Sequence, residues 1–310
     1  MRHVLSCLLI SAQTLCAGLE RYSQLVVGDL SPAKPTGGGI RITYLGTNGF
    51  EFESGTHALL VDPYFSRINF SRVALGSTVQ PDVHRIDDAM KHLAPKVDAI
   101  LVTHGHVDHL LDAPLLMRKT GARLIGSRTA VELAERAGAP AARCDPVTAG
   151  NVRRIGPWKI HVLGATHDRL FSLVPFAGEP RGAAPPRRAA DWVCGEPLVY
   201  LIEIEGERIF VDSGGTSAML PPADIAPVDL AILGAALPDS RARFSAAVRQ
   251  LRPRYVFPSH QDNFFRPLSA GFEFGPLTDF PGVLRDYDRD ALPGRLILFD
   301  YFRPWTLRRK

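Results

Sequence analysis

Three histidines and one aspartate crowd into Thr103-His104-Gly105-His106-Val107-Asp108-His109-Leu110. Imidazole nitrogen and carboxylate oxygen are good ligands for Zn²⁺ and similar ions. Histidine is only intermediate in its tendency to be buried and needs polar partners when it is, so this density is a poor fit to core filling. A turn at the end of a strand can aim alternate side chains into one pocket. His104 and His106 would then reach one metal, and Asp108 and His109 a neighbouring one. The chemistry expected from such a centre is attack by a metal-activated water on an electrophilic carbonyl or phosphorus. Asp108 is the residue placed to orient that nucleophile as well as to bind metal.

The elements that would position these residues follow from local pattern. Val97-Asp98-Ala99-Ile100-Leu101-Val102-Thr103 is a short, nearly continuous apolar strand that runs directly into His104. Before it, residues 40–45, 50–53 and 57–62 read as strands, separated by Gly-containing turns. Residues 84–94 have helical spacing. After the histidines, a helix is expected around 112–120, a strand at 123–126 and a helix over 129–136. Strands follow at 152–155 and 159–163. The second half repeats this logic, with strands at 198–204, 207–212, 230–233, 255–259 and 295–299 and a helix over 240–251. This order predicts an α/β architecture: a four-layer αββα sandwich of two mixed sheets packed face to face, with helices outside.

With these elements in place, the chain resembles the metallo-beta-lactamase superfamily, whose hallmark is HxHxDH at the end of a strand. The resemblance extends over roughly residues 40–300 and implies the αββα sandwich with a one- or two-metal site at one edge of the sheets. Family members cleave lactones, thioesters, phosphodiesters, nucleic acids and beta-lactams, and some perform redox chemistry. By the resemblance, His167, just past a strand in Leu163-Gly164-Ala165-Thr166-His167, matches the third histidine of the first metal; His161 is the rival, but it sits inside the strand. His260, in Pro258-Ser259-His260, matches the final histidine of the second metal. The bridging carboxylate departs from the usual Gly-Asp-Thr context. Aligning on the strand end makes Asp212 the bridge, whereas aligning Ser213-Gly214-Gly215-Thr216 puts Gly215 there and weakens the second metal. Asp62 resembles the aspartate that supports the site from behind, accepting from a ligand's second ring nitrogen. Asp112 is expected either to do the same or to cap the following helix. The expected metals are two Zn²⁺, with Mn²⁺ or Fe accommodated by the same ligands.

Substrate is less legible. Phe257, Phe264 and Phe265 flank His260 and would form an aromatic wall suited to a partly apolar small molecule, with core packing as the other reading. Arg266, and Arg181, Arg187 and Arg188 further back, could meet an anionic group. Asp168, beside His167, is the one candidate for a separate general acid. Simple lactonases and phosphodiesterases of the family are the nearest in pattern. The leading expectation is therefore a hydrolase of small esters, lactones or phosphodiesters. An iron-dependent redox enzyme on the same ligands and a non-catalytic metal- or ligand-binding protein are the alternatives.

The bulk properties set outer limits. The chain has 310 residues, 45% of them hydrophobic, enough for a substantial core. A net charge of +4 with no concentrated basic face argues against nucleic acid as a partner. At the N-terminus, Arg2 and His3 precede the apolar run 4–10 and then small residues, a pattern that reads as a signal peptide over 1–20 and points to a periplasmic or secreted protein; an N-terminal helix is the other reading. Residues 21–39, Pro- and Gly-rich over 28–39, read as a linker, and 40–303 as one domain. No later segment has the length and apolarity of a membrane span. Residues 172–197 hold many prolines together with Phe176 and Trp192, and read as a lid or a surface insertion. Beyond the leader, Cys144 and Cys194 could pair or stay as buried thiols. Oligomeric state has no signature in the sequence.

Overall fold

A computed structural model of the chain describes residues 18–30, 38–213, 225–237 and 240–308. The strands are β1 (Val26–Val27), β2 (Ile40–Gly46), β3 (Gly49–Ser54), β4 (His57–Val61), β5 (Ala99–Leu101), β6 (Arg123–Gly126), β7 (Cys144–Pro146) and β8 (Val152–Ile155). They continue as β9 (Trp158–Gly164), β10 (Leu198–Ile204), β11 (Glu207–Asp212), β12 (Leu230–Gly234), β13 (Tyr255–Ser259), β14 (Arg295–Leu296), β15 (Leu298–Phe299) and β16 (Trp305–Leu307). Two seven-stranded sheets result, in the orders β16-β2-β3-β4-β5-β6-β7 and β14-β13-β12-β11-β10-β9-β8, with β1 and β15 paired separately. Each sheet is mixed. β2, β3 and β4 pair antiparallel and β4 through β7 parallel. In the other sheet β8 through β11 are antiparallel and β11 through β14 parallel. This is the expected αββα sandwich.

Side-chain alternation separates the layers. Phe50 and Phe52 of β3, Leu59 and Val61 of β4, and Ala99 and Leu101 of β5 join the core between the sheets. Leu60 and Ile100, one position out of phase, belong to a second core under the helices that cover this sheet, with Val102, Leu116, Met117 and Leu133. A one-residue slip would exchange the two sets, so burial on both faces fixes the register.

Local signals place the helices. Asp82 accepts from the Arg85 amide to start the helix Val83–Met90, and Ser127 accepts from the Ala130 amide to start Arg128–Arg136. The helix Ala113–Thr120 begins with Pro114 in its first turn and ends at Gly121, whose φ of +76° is the left-handed stop that glycine adopts at low cost. The helix Ser240–Leu251 matches its expected bounds. Among the described residues no helix is long and apolar enough to cross a membrane.

One expectation needs correction. Of the expected linker, the part up to Asp29 is not linker, nor are the two residues before it, Leu19 and Glu20. Tyr22 is buried edge-on against Phe280 and Phe274, Val26 and Val27 pair with Leu298 and Phe299, and the Asp29 carboxylate accepts from the Thr306 hydroxyl at 2.6 Å. A tyrosine and two valines supply enough apolar surface to dock the segment, and the Pro/Gly-rich composition begins only after them. Of the two readings of the cysteines, the unpaired one holds: Cys144 and Cys194 are both free thiols. Cys144 lies on β7 and Cys194 is buried in the long loop, with burial pushing its thiol up to about 12. The signal-peptide reading concerns residues 1–17 almost entirely and lies outside the described residues.

Candidate metal centre

The site sits where the strands end. In open α/β sheets the loops beyond the carboxyl ends of parallel strands form the crevice. β4 delivers Asp62, β5 leads through Thr103 into His104, β9 into His167, and β13 into His260. Two of these positions, Asp62 at φ +41° and His260 at φ +58°, hold left-handed conformations that are costly for residues other than glycine. Such strain persists where the surroundings over-determine it, and both residues are multiply tethered. Gly105 allows the turn between the first two histidines to pack tightly: a Cβ there would lie 2.2 Å from the Val193 carbonyl oxygen.

Six of the seven expected ligands converge. His104, His106 and His167 bring one ring nitrogen each within 4.8 Å of one another, and Asp108, His109 and His260 do the same with a carboxylate oxygen and two ring nitrogens. The two groups adjoin, with the His104 and His109 rings 4.1 Å apart. His161, the rival to His167, points instead toward Glu203 on β10.

The hydrogen bonds decide which nitrogen of each ring is available. His106 Nε2 donates to the Pro175 carbonyl at 2.8 Å and His167 Nδ1 to the Asp168 carbonyl at 2.7 Å. The Thr103 hydroxyl spends its proton on Asp62 at 2.6 Å, so at 3.1 Å it accepts from His104 Nδ1. His104 Nε2 and His106 Nδ1 therefore face each other 2.8 Å apart with lone pairs and no proton between them. Burial, then the neighbouring histidines, hold His104 well below the usual imidazole range, and the same causes lower His106 to about 3. Two converging neutral lone pairs repel unless a cation lies between them. The donor set thus fits a divalent metal of the kind that nitrogen ligands hold at about 2.0–2.1 Å.

The second group has a different balance. Burial works against its charges, but Asp108 and Asp62 on either side raise His109 to about 10, and His109 with His260 holds Asp108 well below the carboxylate range. His109 Nδ1 donates to Asp62 Oδ2 at 2.9 Å, leaving Nε2 facing Asp108 Oδ2 at 3.4 Å. A metal would take the place of the proton on Nε2. His260 Nε2 lies 3.2 Å from Asp108 Oδ2, while its Nδ1 is buried without a partner. Asp62 thus acts as the supporting aspartate expected of it, and also accepts from the Thr103 amide and from Asn48.

Other expectations resolve differently. Asp212 belongs to neither donor group. It ends β11, buried, and Arg243 from the helix Ser240–Leu251 donates to its Oδ2 at 2.8 Å. The same guanidinium grips both oxygens of Asp168, at 2.8 and 2.7 Å, so Asp168 is an ion-paired carboxylate rather than an acid with a proton to give. Gly215, the other bridge alignment, lies outside the described residues. Asp112 occupies the cap position of its helix without capping it. Its carboxylate instead accepts from the amides of Phe65 and Ser66, at 2.6 and 2.8 Å, and it touches no histidine. Phe257 is core, packed between Phe50, Tyr44 and Phe299, because its position on β13 faces the opposite sheet. Arg266 pairs with Glu273. Phe264 does flank the site, edge-on to His260 at 5.0 Å, and Phe265 packs on Phe264 at 4.2 Å.

Several positioning residues had no signal in the motif. Asp262 is fully buried and accepts from the Tyr44 hydroxyl, the Thr47 amide, Arg67 and the Tyr301 hydroxyl at 2.7–2.9 Å. Together with the His260 amide donating to the Thr47 carbonyl at 2.8 Å, this network pins the turn that carries His260. Residues 172–197 form a long loop with a single short 3₁₀ turn at Ala189–Asp191. Trp192 is buried, the Cys194 amide donates to Phe176, and the Gly105 amide donates to Cys194, which ties the loop to the histidine turn.

Known proteins share these features. A family model described as a beta-lactamase superfamily domain matches residues 57–260. The UPF0173 metal-dependent hydrolase of Myxococcus xanthus is 29% identical over 252 residues, covering 79% of this chain and 78% of that one. Among solved structures, Igni18, a metallo hydrolase from Ignicoccus hospitalis, superposes with a TM-score of 0.58 at 18% identity, covering 87% of this chain and 99% of its own. CmlA, a diiron beta-hydroxylase from Streptomyces venezuelae, superposes at 0.53 and 16% identity, covering 89% of this chain and 55% of its own. A hydrolase and a hydroxylase on one fold show that the fold alone does not choose the reaction. The matched span and the two His/Asp donor groups together place the chain in the beta-lactamase superfamily, with the metallo-beta-lactamase fold and a metal-binding cluster.

Proposed function

We propose that this protein is a hydrolase that binds two divalent metal ions, Zn²⁺ in the first instance, and cleaves a small ester, lactone or phosphodiester. The observation that carries the reading is the pair of adjoining donor groups whose ring nitrogens are already stripped of protons or paired with a carboxylate. His104, His106 and His167 would hold one ion, Asp108, His109 and His260 the other. A bound metal would supply an activated water near neutral pH and polarise the substrate oxygen. The protein's own residues do the rest. Asp62 fixes the His109 ring, and the Pro175 and Asp168 carbonyls fix His106 and His167. Asp108, between His109 and His260, is the carboxylate placed to orient the nucleophile and hold its proton. Phe176 and Phe264 border the histidines and limit water at either end.

The test is elemental analysis of the purified protein, read per chain, alongside hydrolysis of an ester, lactone and phosphodiester panel. Two zinc ions per chain with turnover that chelation removes and zinc restores supports the reading. Iron in both positions with no hydrolysis would replace it with redox chemistry. No metal affinity at all would leave the fold without its catalytic centre.

A further inference from the structure

The histidines form part of a longer row of rings. From one end, Phe176 stands 6.2 Å from His106, His106 4.5 Å from His104, His104 4.1 Å from His109, and His109 5.4 Å from His260. The row continues through Phe264 at 5.0 Å and Phe265 at 4.2 Å to Phe70 at 5.2 Å. Phe70 is 62% exposed, so the row climbs from a buried metal-binding floor to the surface along three phenylalanines.

The opposite lip is apolar too. Between His167 and Pro175 the chain makes a tight turn, with the amides of Leu170 and Leu173 each donating to the other's carbonyl. The two central residues, Phe171 and Ser172, have φ of +51° and +67°, and Phe176 has φ +43°. Glycine and asparagine are the ordinary occupants of such turn positions. Here the strained turn displays Phe171 at 84% exposure and Leu173 at 72%, in a segment whose flanking residues His167 and Pro175 both join the first donor group. Exposed apolar side chains in the segments that flank a polar floor, with Phe171 among them held in strained backbone, mark a binding surface rather than incidental exposure.

We propose that the substrate carries an extended apolar chain, an alkyl or fatty-acyl group, which lies along Phe264, Phe265 and Phe70 while its ester or lactone group sits over the histidines. This rests on the hydrolase reading for the reaction but not for the binding. Three rings in succession exceed what one aromatic substituent would cover. The row starts at His260, which is only 7% exposed, so its occupant must reach the floor of the site; a chain can do that and the surface of a second protein copy cannot.

The metal-loaded protein is assayed with 4-nitrophenyl esters from acetyl to decanoyl, which keeps the leaving group constant. Partial burial of each methylene predicts a rise in kcat/KM of about two- to fourfold per carbon over the first several. Phe70→Ala with Phe265→Ala should lower the decanoyl-to-acetyl ratio by about tenfold or more. A flat profile, or a ratio unmoved by the double variant, overturns the proposal. If no ester is turned over, ester hydrolysis fails by itself, and binding decides the remainder: acetate, hexanoate and decanoate are titrated into the metal-loaded protein by calorimetry. Decanoate binding at least tenfold tighter than acetate sustains the apolar channel, and equal affinity overturns it. Sedimentation showing a dimer that Phe70→Asp dissociates would assign the exposed rings to self-association and overturn it as well.

Discussion

The two donor groups lie side by side but are built in opposite ways. His104, His106 and His167 are neutral imidazoles, and two of them are oriented by main-chain carbonyls, Pro175 and Asp168, from the irregular segment after β9. Asp108, His109 and His260 form a set built on the charged Asp108–His109 pair and oriented by buried side chains: Asp62 behind His109, and the Asp262 network behind the His260 turn. The first group depends on where a loop lies, the second on the core. Loops are the parts of a fold that open locally at low cost, whereas networks of buried hydrogen bonds open only with the global structure. One centre therefore combines an adjustable half with a rigid half.

The sharpest way to separate the halves is to remove one ligand from each. His106→Ala should leave one metal per chain by elemental analysis and abolish metal-dependent turnover. The loss should exceed the roughly 10- to 100-fold that follows from removing a partner that merely orients a ligand. Retained turnover would sink the assigned mechanism. His109→Ala should also lower the metal count, but it removes one of the donors to buried Asp62 and should lower the melting temperature of the metal-free protein, which His106→Ala should not.

The rigid half can be broken without touching a ligand. Arg67 is wholly buried, and its Nη1 donates to Asp262 at 2.7 Å. Burial alone would lower the guanidinium and raise the carboxyl, yet each holds the other in its charged form. Arg67→Met leaves a buried carboxylate without its countercharge, a change worth about 3–5 kcal/mol of stability. Chemical denaturation should show that loss in the metal-free protein, where bound metal contributes nothing. A loss under 1 kcal/mol would mean that the two tyrosine hydroxyls and the Thr47 amide suffice to hold the turn.

Asp112 gives the next effect, through pH. Burial raises its carboxyl to about 6, against the pull of the Ser66 and Phe65 donors. A carboxyl raised in the folded state binds its proton more tightly there than when unfolded. Its contribution is then fully present below the unfolded value near 4 and is lost as pH rises through about 6. A shift of about two units corresponds to on the order of 3 kcal/mol. Relative to Asp112→Asn, which has no such proton to lose, the metal-free wild-type protein should lose stability between pH 4 and 7. Parallel stability curves for the two proteins would show that Asp112 does not titrate in this range.

The same contrast explains what was legible in the sequence. The HxHxDH run is local, and the apolar strand before it fixes where its turn begins, so the ligands could be read directly. His167 and His260 were reachable because each follows a strand. Asp62 came through the resemblance and took its expected place. What stayed hidden are partners far apart in the chain. Asp262 lies only two residues past His260, but Tyr44, Arg67 and Tyr301, which give it meaning, come from three separate regions. Asp112 has a helix-cap position by sequence, and only the fold brings Phe65 and Ser66 to it. Phe257 was misplaced because strand alternation says that it is buried but not against what. The helix Phe280–Arg289 did carry a readable signal, with Asp279 capping it and Phe280, Val283 and Tyr287 buried on one face, at spacings of three and four residues.

Arg243 should give the smallest effect and the most direct link between the halves. It joins Asp212, at the end of a core strand, to Asp168, whose backbone carbonyl orients His167. A forked guanidinium can hold two carboxylates in fixed relation, which lysine cannot. Arg243→Gln should therefore loosen the His167 turn and weaken metal binding by about tenfold, at the low end for an orienting partner, with Arg243→Lys recovering only part of it. Titration of the metal-free protein with Zn²⁺ or Co²⁺ measures this, and the Co²⁺ absorption spectrum reports whether the ligand geometry changes. Tighter binding in Arg243→Gln would carry the opposite meaning: that the guanidinium occupies Asp212 in competition with a metal, and that the carboxylate at the end of β11 becomes a ligand once its countercharge is removed.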